Sequence, residues 1–100
     1  MAKVIFYVAY DIDPNKREDF IDSIREYKKL IGSNGLLNYS LLEEKGKQNR
    51  FREVFEFASE EAFDNFDDAG DERLAVLNRK LESLKLAKTT KSRTLLEVEI

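Results

Sequence analysis

The chain contains no histidine and no cysteine, so imidazole bases, thiolate nucleophiles, disulfides and the commonest metal ligand are all absent. Chemistry then falls to tyrosine, arginine and carboxyl groups set among apolar neighbours. Tyr7, Tyr39 and Arg52 are the first candidates for a catalytic set. A phenolic hydroxyl can donate to or accept from a substrate oxygen, and a guanidinium can hold an oxyanion or carboxylate through a two-pronged fork. Asn38 and Glu53 stand behind them. Glu53 is the odd member, because it shares a strand face with Phe51, Phe55 and Phe57; a carboxyl group there suits a general base if it is unpaired, and a buried salt bridge equally well. Plainer roles compete for each residue. A strand tyrosine commonly packs its ring and sends its hydroxyl to water, and Arg52 suits a cross-strand ion pair or a subunit contact.

The elements that must position these groups are legible from pattern. Lys3 to Tyr10 is a short run rich in β-branched and aromatic side chains, apolar on both faces, with Val4, Phe6 and Val8 on one and Ile5, Tyr7 and Ala9 on the other; it predicts a strand covered on both sides. Asp13 as N-cap and Pro14 at the first helical position open a helix whose stripe is Phe20, Ile24, Tyr27 and Ile31, a core face at helical spacing. Gly32-Ser33-Asn34-Gly35 stops it. Leu36–Glu44, with Leu37, Tyr39 and Leu41 on one face, and Arg50–Ala58 form a hairpin across Gly46-Lys47-Gln48-Asn49. Ser59 caps a short helix carrying Phe63 and Phe66 and ending near Asp67-Asp68-Ala69-Gly70, and Asp71 caps a further helix with Leu74, Leu77, Leu81 and Leu84 in its stripe. Thr89–Ile100 closes the chain as an edge or subunit-contact strand.

Strand, helix, strand, strand, helices, strand is the order of a ferredoxin-like α+β sandwich, a four-stranded antiparallel sheet with helices on one face. One hundred residues, 42% of them hydrophobic, fit a single domain spanning 1–100. Tyr7, Tyr39, Phe55, Phe57, Leu37 and the alternate residues of the last strand cannot all point at the helices, so apolar surface is expected on the bare face. A second copy of the same sheet is the economical cover, giving a homodimer. No apolar run reaches the roughly 20 residues that cross a bilayer, and the opening Met1-Ala2-Lys3-Val4 lacks the apolar stretch of a signal peptide, so the expected location is the cytoplasm with no membrane contact.

The succession KVIFYVAYDIDPNKREDFIDSI, a glycine break, a hairpin, RFREVFEFASEEAFDNF and a long helix before an edge strand resembles the dimeric α+β barrels of the antibiotic biosynthesis monooxygenase superfamily. Its most specific piece is Phe57-Ala58-Ser59-Glu60-Glu61-Ala62-Phe63, similar to the strand-to-helix junction where those proteins often carry tryptophan, a short acidic turn and Ala-Leu. The resemblance implies a small oxygenase, or a relative that only binds, acting on a flat aromatic or apolar molecule enclosed between helices and sheet. Phe57 stands where tryptophan is usual and Phe66 where histidine is usual. Phenylalanine neither takes a proton nor binds iron, so no haem, metal or other cofactor is expected. Cofactor-independent oxygenation remains open, with substrate electrons, a dry pocket and one proton-managing group drawn from Tyr7, Tyr39 and Arg52. Phe55, Phe57, Phe63 and Phe66 would line that pocket, or fill it.

Other classes fit less well. An RNA-recognition module shares the order of elements and reads bases with strand aromatics. Here Glu53 and Glu56 sit where phosphates would approach, and 17 basic against 20 acidic residues give a net charge of −3, so no nucleic acid partner is expected. The acidic group Asp64, Asp67, Asp68, Asp71 and Glu72 lacks the spacing of a calcium loop and suits helix caps and a solvated face.

Overall fold

The computed structural model describes residues 2–32, 35–67 and 70–100. Strand β1 (Val4–Asp11) leads through a 3-10 turn (Pro14–Lys16) into helix α1 (Arg17–Leu30), followed by β2 (Leu36–Glu43), β3 (Arg50–Phe57), α2 (Glu60–Asp64), α3 (Glu72–Leu84) and β4 (Lys91–Leu96). The four strands form one sheet in the order β2-β3-β1-β4, antiparallel at each pairing. This is the ferredoxin-like α+β fold expected from the sequence.

Local chemistry explains most of the boundaries. Asp13 Oδ1 accepts from the Asn15 N–H at 2.9 Å with Pro14 in the first turn, but this cap opens the 3-10 turn, and α1 begins only at Arg17. Ser59 Oγ accepts from the Ala62 N–H at 3.1 Å, and Asp71 Oδ1 from the Arg73 N–H at 2.7 Å, each supplying a partner for an orphan donor at a helix start. Helix α2 ends at Asp64, so Phe66 lies beyond it. The expectations that involve Ser33, Asn34, Asp68 and Ala69 fall outside the described residues.

The core sits between α1, α3 and one face of the sheet. Phe20, Ile24 and Tyr27 from α1 and Leu74, Leu81 and Leu84 from α3 are buried there, with Val4 and Tyr10 from β1, Tyr39 from β2 and Phe51, Phe55 and Phe57 from β3. Lys80 Nζ on α3 meets Asp19 Oδ1 on α1 at 2.9 Å. Leu37 departs from expectation. Leu36 pairs with Phe57 and Asn38 with Glu56, so one extra residue is inserted, and the bulged Leu37 is 55% exposed instead of sharing a face with Tyr39 and Leu41. The last strand is shorter than the predicted Thr89–Ile100. Beyond Leu96 the strand ends with a backbone bond from Glu97 N to Lys3 O at 2.9 Å, near the start of β1.

Gly35 closes the α1–β2 connection. Its φ is +89°, and a Cβ built there would lie 2.4 Å from Ala62 Cβ, while its carbonyl accepts from Ala58 N at 2.7 Å. Gly35→Ala is expected to destabilise the fold by about 2–3 kcal/mol, from left-handed strain together with overpacking against α2. A denaturant midpoint lowered at unchanged m-value measures it; an unshifted midpoint contradicts it.

Candidate functional site

Strand register brings three polar groups together inside the core. On β3, Phe51, Glu53, Phe55 and Phe57 face the helices and are all buried. Glu53 lies opposite Val8 on β1 and Leu41 on β2. Tyr10, two residues after Val8, and Tyr39, two residues before Leu41, stand on the same face. Such diagonal neighbours are about 7–8 Å apart at the backbone, within reach of an aromatic side chain. The Tyr10 hydroxyl donates to Glu53 Oε2 at 2.5 Å, and the Tyr39 hydroxyl donates to Glu53 Oε1 at 2.6 Å. Each carboxyl oxygen thus has its own phenol, from opposite sides.

The surroundings are aromatic. Tyr27 meets Tyr39 edge-on at 5.3 Å between ring centroids, Phe20 meets Tyr10 edge-on at 5.8 Å, and Tyr39 lies 4.8 Å from Phe55. Burial, then the adjacent Glu53 charge, then the hydrogen bond to it push the Tyr10 and Tyr39 hydroxyls far above the ordinary tyrosine range. Both stay protonated at any physiological pH. No ion pair to Glu53 occurs among the described residues; Lys85 Nζ sits 4.3 Å from the centre of the Tyr10 ring and is ion-paired to Glu82 at 2.7 Å. Neither partner anticipated for Glu53, a free site or a cation, is what the structure supplies; two neutral donors hold it.

The remaining candidates divide across the sheet. Tyr39 is on the helix-covered face. Tyr7 and Arg52 are on the opposite, open face, where the Arg52 guanidinium lies 4.3 Å over the Tyr7 ring, a cation–π pair. Ala9 beside them floors a shallow cavity of about 200 Å³ that Leu42, Arg50 and Arg52 also line. Asn38 donates to Glu56 Oε2 at 3.2 Å on that same open face. Phe55, Phe57, Phe63 and Phe66 do converge under α2, and they touch one another: Phe57 lies 5.4 Å from Phe63 and 5.2 Å from Phe66, and Phe55 lies 5.7 Å from Phe66. Phe55 and Phe57 are buried, and Phe63 and Phe66 are half-buried at the rim.

Tyr10 is the functional candidate that the sequence reading passed over. Its position two residues after Val8, on the face of Val4 and Phe6, was the available signal; its nearness to Glu53 required the register between strands. No group of three or more acidic residues able to hold a metal ion occurs among the described residues. No described helix is long and apolar enough to cross a membrane.

An antiparallel ferredoxin-like sheet with a carboxyl group and phenols enclosed beneath its helices defines a small α+β protein with an interior polar site. Comparison with known proteins supplies the family. The model of the family described as antibiotic biosynthesis monooxygenase matches residues 3–74, and the chain belongs to that family. No curated protein sequence matches it. Among solved structures, a candidate antibiotic biosynthesis monooxygenase from Caulobacter crescentus CB15 superposes with a TM-score of 0.82 at 16% identity, covering 98% of this chain and 92% of that one. A conserved protein from Methanosarcina mazei Go1 gives 0.78 at 14% identity over 95% and 92%. A variant of SnoaB, a cofactor-independent oxygenase from Streptomyces nogalater, gives 0.68 at 15% identity over 98% and 95%. At these identities the likeness is one of fold.

Proposed function

We propose that this protein binds a small planar aromatic or apolar molecule between its helices and sheet and oxygenates an activated phenol without a cofactor. The observation that carries the reading is the enclosed Glu53 carboxyl group with its two phenol donors, in a chain of a monooxygenase family. A carboxyl in so apolar a place is a costly feature for a small core to keep without use. In the reaction a phenol bearing a free ring C–H takes up one O2 and gives a quinone and one water. The substrate supplies the electrons and O2 is the oxidant. The protein's share is to exclude water and to accept the phenolic proton, a task within reach of Glu53 as Tyr10 and Tyr39 stabilise its charge. Phe63 and Phe66, half-buried on and just after the five-residue α2, are the rings that must swing aside to admit the ligand. Tyr7 and Arg52 form a separate pair on the outer face, whose part in activity the experiment below measures.

A homodimer closed through the open sheet face belongs to this reading. Leu42 is 52% and Leu95 50% exposed on that face, beside Ile5, Tyr7 and Val54. A non-catalytic dimer that only binds a ligand or serves a structural role is the second reading, favoured by the close mutual packing of the four phenylalanines.

Oxygen uptake in the presence of small phenols and naphthols separates the two. The oxygenase reading expects uptake by the wild-type protein, reduced about a hundredfold or more in Glu53→Gln, as for loss of a proton acceptor. Tyr39→Phe, which removes one donor, is expected to lower it about tenfold, and Arg52→Ala reports on the outer pair. Uptake that is absent, or unmoved by Glu53→Gln and Tyr39→Phe, removes the oxygenase reading and leaves the binding one.

A further inference from the structure

The two phenols on Glu53 are held differently. Tyr10 lies on β1, an inner strand of the sheet, and is fully buried. Lys85 Nζ sits 4.3 Å from the centre of its ring, and Phe20 meets it edge-on. Backbone contacts join the same segments, Lys85 bridging to Ile12 and the Leu86 N–H donating to the Asp11 carbonyl at 2.8 Å. Displacing the Tyr10 ring therefore means parting the end of α3 from β1. Tyr39 lies on β2, an outermost strand, with Tyr27 of α1 edge-on to it. Its ring stands 4.8 Å from Phe55, which in turn stands 5.7 Å from Phe66 at the half-buried rim. Phe66, Phe55 and Tyr39 thus form a file from the rim to Glu53. No ring of that file pairs with Tyr10 among the described residues. Glu53 and Phe55 are alternate residues of β3, about 7 Å apart at strand rise, so a phenol lying beside Phe55 points its hydroxyl at the carboxyl group. Tyr39 already makes both contacts, ring beside Phe55 and hydroxyl on Oε1 at 2.6 Å.

We propose that Tyr39 is the protein's own stand-in for the substrate phenol, and that Glu53 Oε1 is the atom that takes the substrate's proton while Tyr10 keeps Oε2. The inference rests on the oxygenase reading above and names the atoms of its proton step. A phenol admitted past Phe63 and Phe66 meets Phe55 first and Tyr39 next, and its oxygen inserts between the Tyr39 hydroxyl and Oε1. The substrate O–H bond then breaks and an Oε1–H bond forms. The electron pair stays on the substrate oxygen, to which the Tyr39 hydroxyl donates while keeping its own proton, a charge-assisted bond to the phenolate. The proton stored at Oε1 is at hand for the oxygen that later leaves as water. Tyr10 is a positioning residue: clamped by Lys85 and Phe20, it stops the carboxyl group from swinging when Tyr39 lets go.

The test follows the two hydroxyls separately. With the 4 tyrosines labelled at Cζ for NMR, Tyr10→Phe and Tyr39→Phe identify their own resonances, and circular dichroism melts confirm that each variant is folded. Saturating naphthol is expected to shift the Tyr39 resonance and leave that of Tyr10 in place. Its methyl ether, which has no hydroxyl proton to give Oε1, is expected to bind about tenfold more weakly by calorimetry. In oxygen uptake, Tyr39→Phe is expected to lower kcat about tenfold at unchanged KM, since the lost bond is to the phenolate, whereas Tyr10→Phe is expected to raise KM as well, because the carboxyl group loses its anchor. A shift at Tyr10, an equal shift at both, a bound naphthol that moves neither, or a methyl ether that binds equally well overturns the division of roles and leaves the oxygenase reading standing. Absent oxygen uptake with Tyr39 alone shifted removes the oxygenase reading and leaves Tyr39 as the stand-in. Naphthol that does not bind removes both.

Discussion

Glu53→Ala is expected to lower the unfolding free energy by about 3–5 kcal/mol. The substitution strands two phenol donors in an apolar interior, each at about 1–3 kcal/mol, and adds the void left by the missing side chain. Tyr10→Phe and Tyr39→Phe leave the carboxyl group one donor each and are expected to cost about 2 kcal/mol apiece. Their double mutant is expected to be non-additive, since both hydroxyls serve one acceptor. The triple change Glu53→Leu, Tyr10→Phe, Tyr39→Phe removes every polar atom of the cluster at once and is expected to recover most of the loss, because an apolar replacement of a complete buried network is often neutral or better. Denaturant titration of the five variants beside the wild-type protein decides it. If the triple variant is no more stable than Glu53→Ala, the cluster serves stability, and the case for a retained functional site fails.

The same cluster fixes the sign of the alkaline response. Tyr10 and Tyr39 are held above the ordinary value of 10.0 in the folded chain, so below that pH neither state is ionised and their contribution is fully present. As pH rises beyond 10 the unfolded chain releases those protons and the folded chain does not, so stability falls. Tyr10→Phe and Tyr39→Phe are expected to flatten the decline.

Phe57→Ala is the second large effect. The side chain is fully buried against Phe63 and Phe66, and truncating it is expected to cost about 3–5 kcal/mol, from lost transfer free energy and an unrelaxed cavity. The cavity is apolar and benzene-sized, so saturating benzene is expected to raise the melting temperature of the variant and not of the wild-type protein. A cost under about 1 kcal/mol would mean that the rim rings collapse into the space, contrary to the tight packing observed.

Much of this was legible beforehand because the governing rules are local. Strand alternation placed Phe51, Glu53, Phe55 and Phe57 on one face, helical spacing placed Phe20, Ile24 and Tyr27 on another, and Asp13, Ser59 and Asp71 marked three starts by capping chemistry. The order of elements then selected the sheet. What escaped depended on relations between segments. Leu37 was misplaced because a one-residue bulge in β2 leaves no local trace, and a shift of one reverses a strand's faces. Tyr7 and Arg52 were grouped with Tyr39, although the pleat sends them to opposite sides. Tyr10 was overlooked because its partner is 43 residues away, and only pairing brings β1, β2 and β3 into one diagonal.

The bulge in β2 has a further effect at the margin of the sheet. Strands β2 and β4 are the outermost, and each presents a row of backbone groups that a stray chain can extend. A kinked ladder at Leu36 and Asn38 spoils that template on one flank, and Lys91 and Arg93 spoil it on the other. With both flanks blunted, crowding this molecule favours closed assemblies over fibrils.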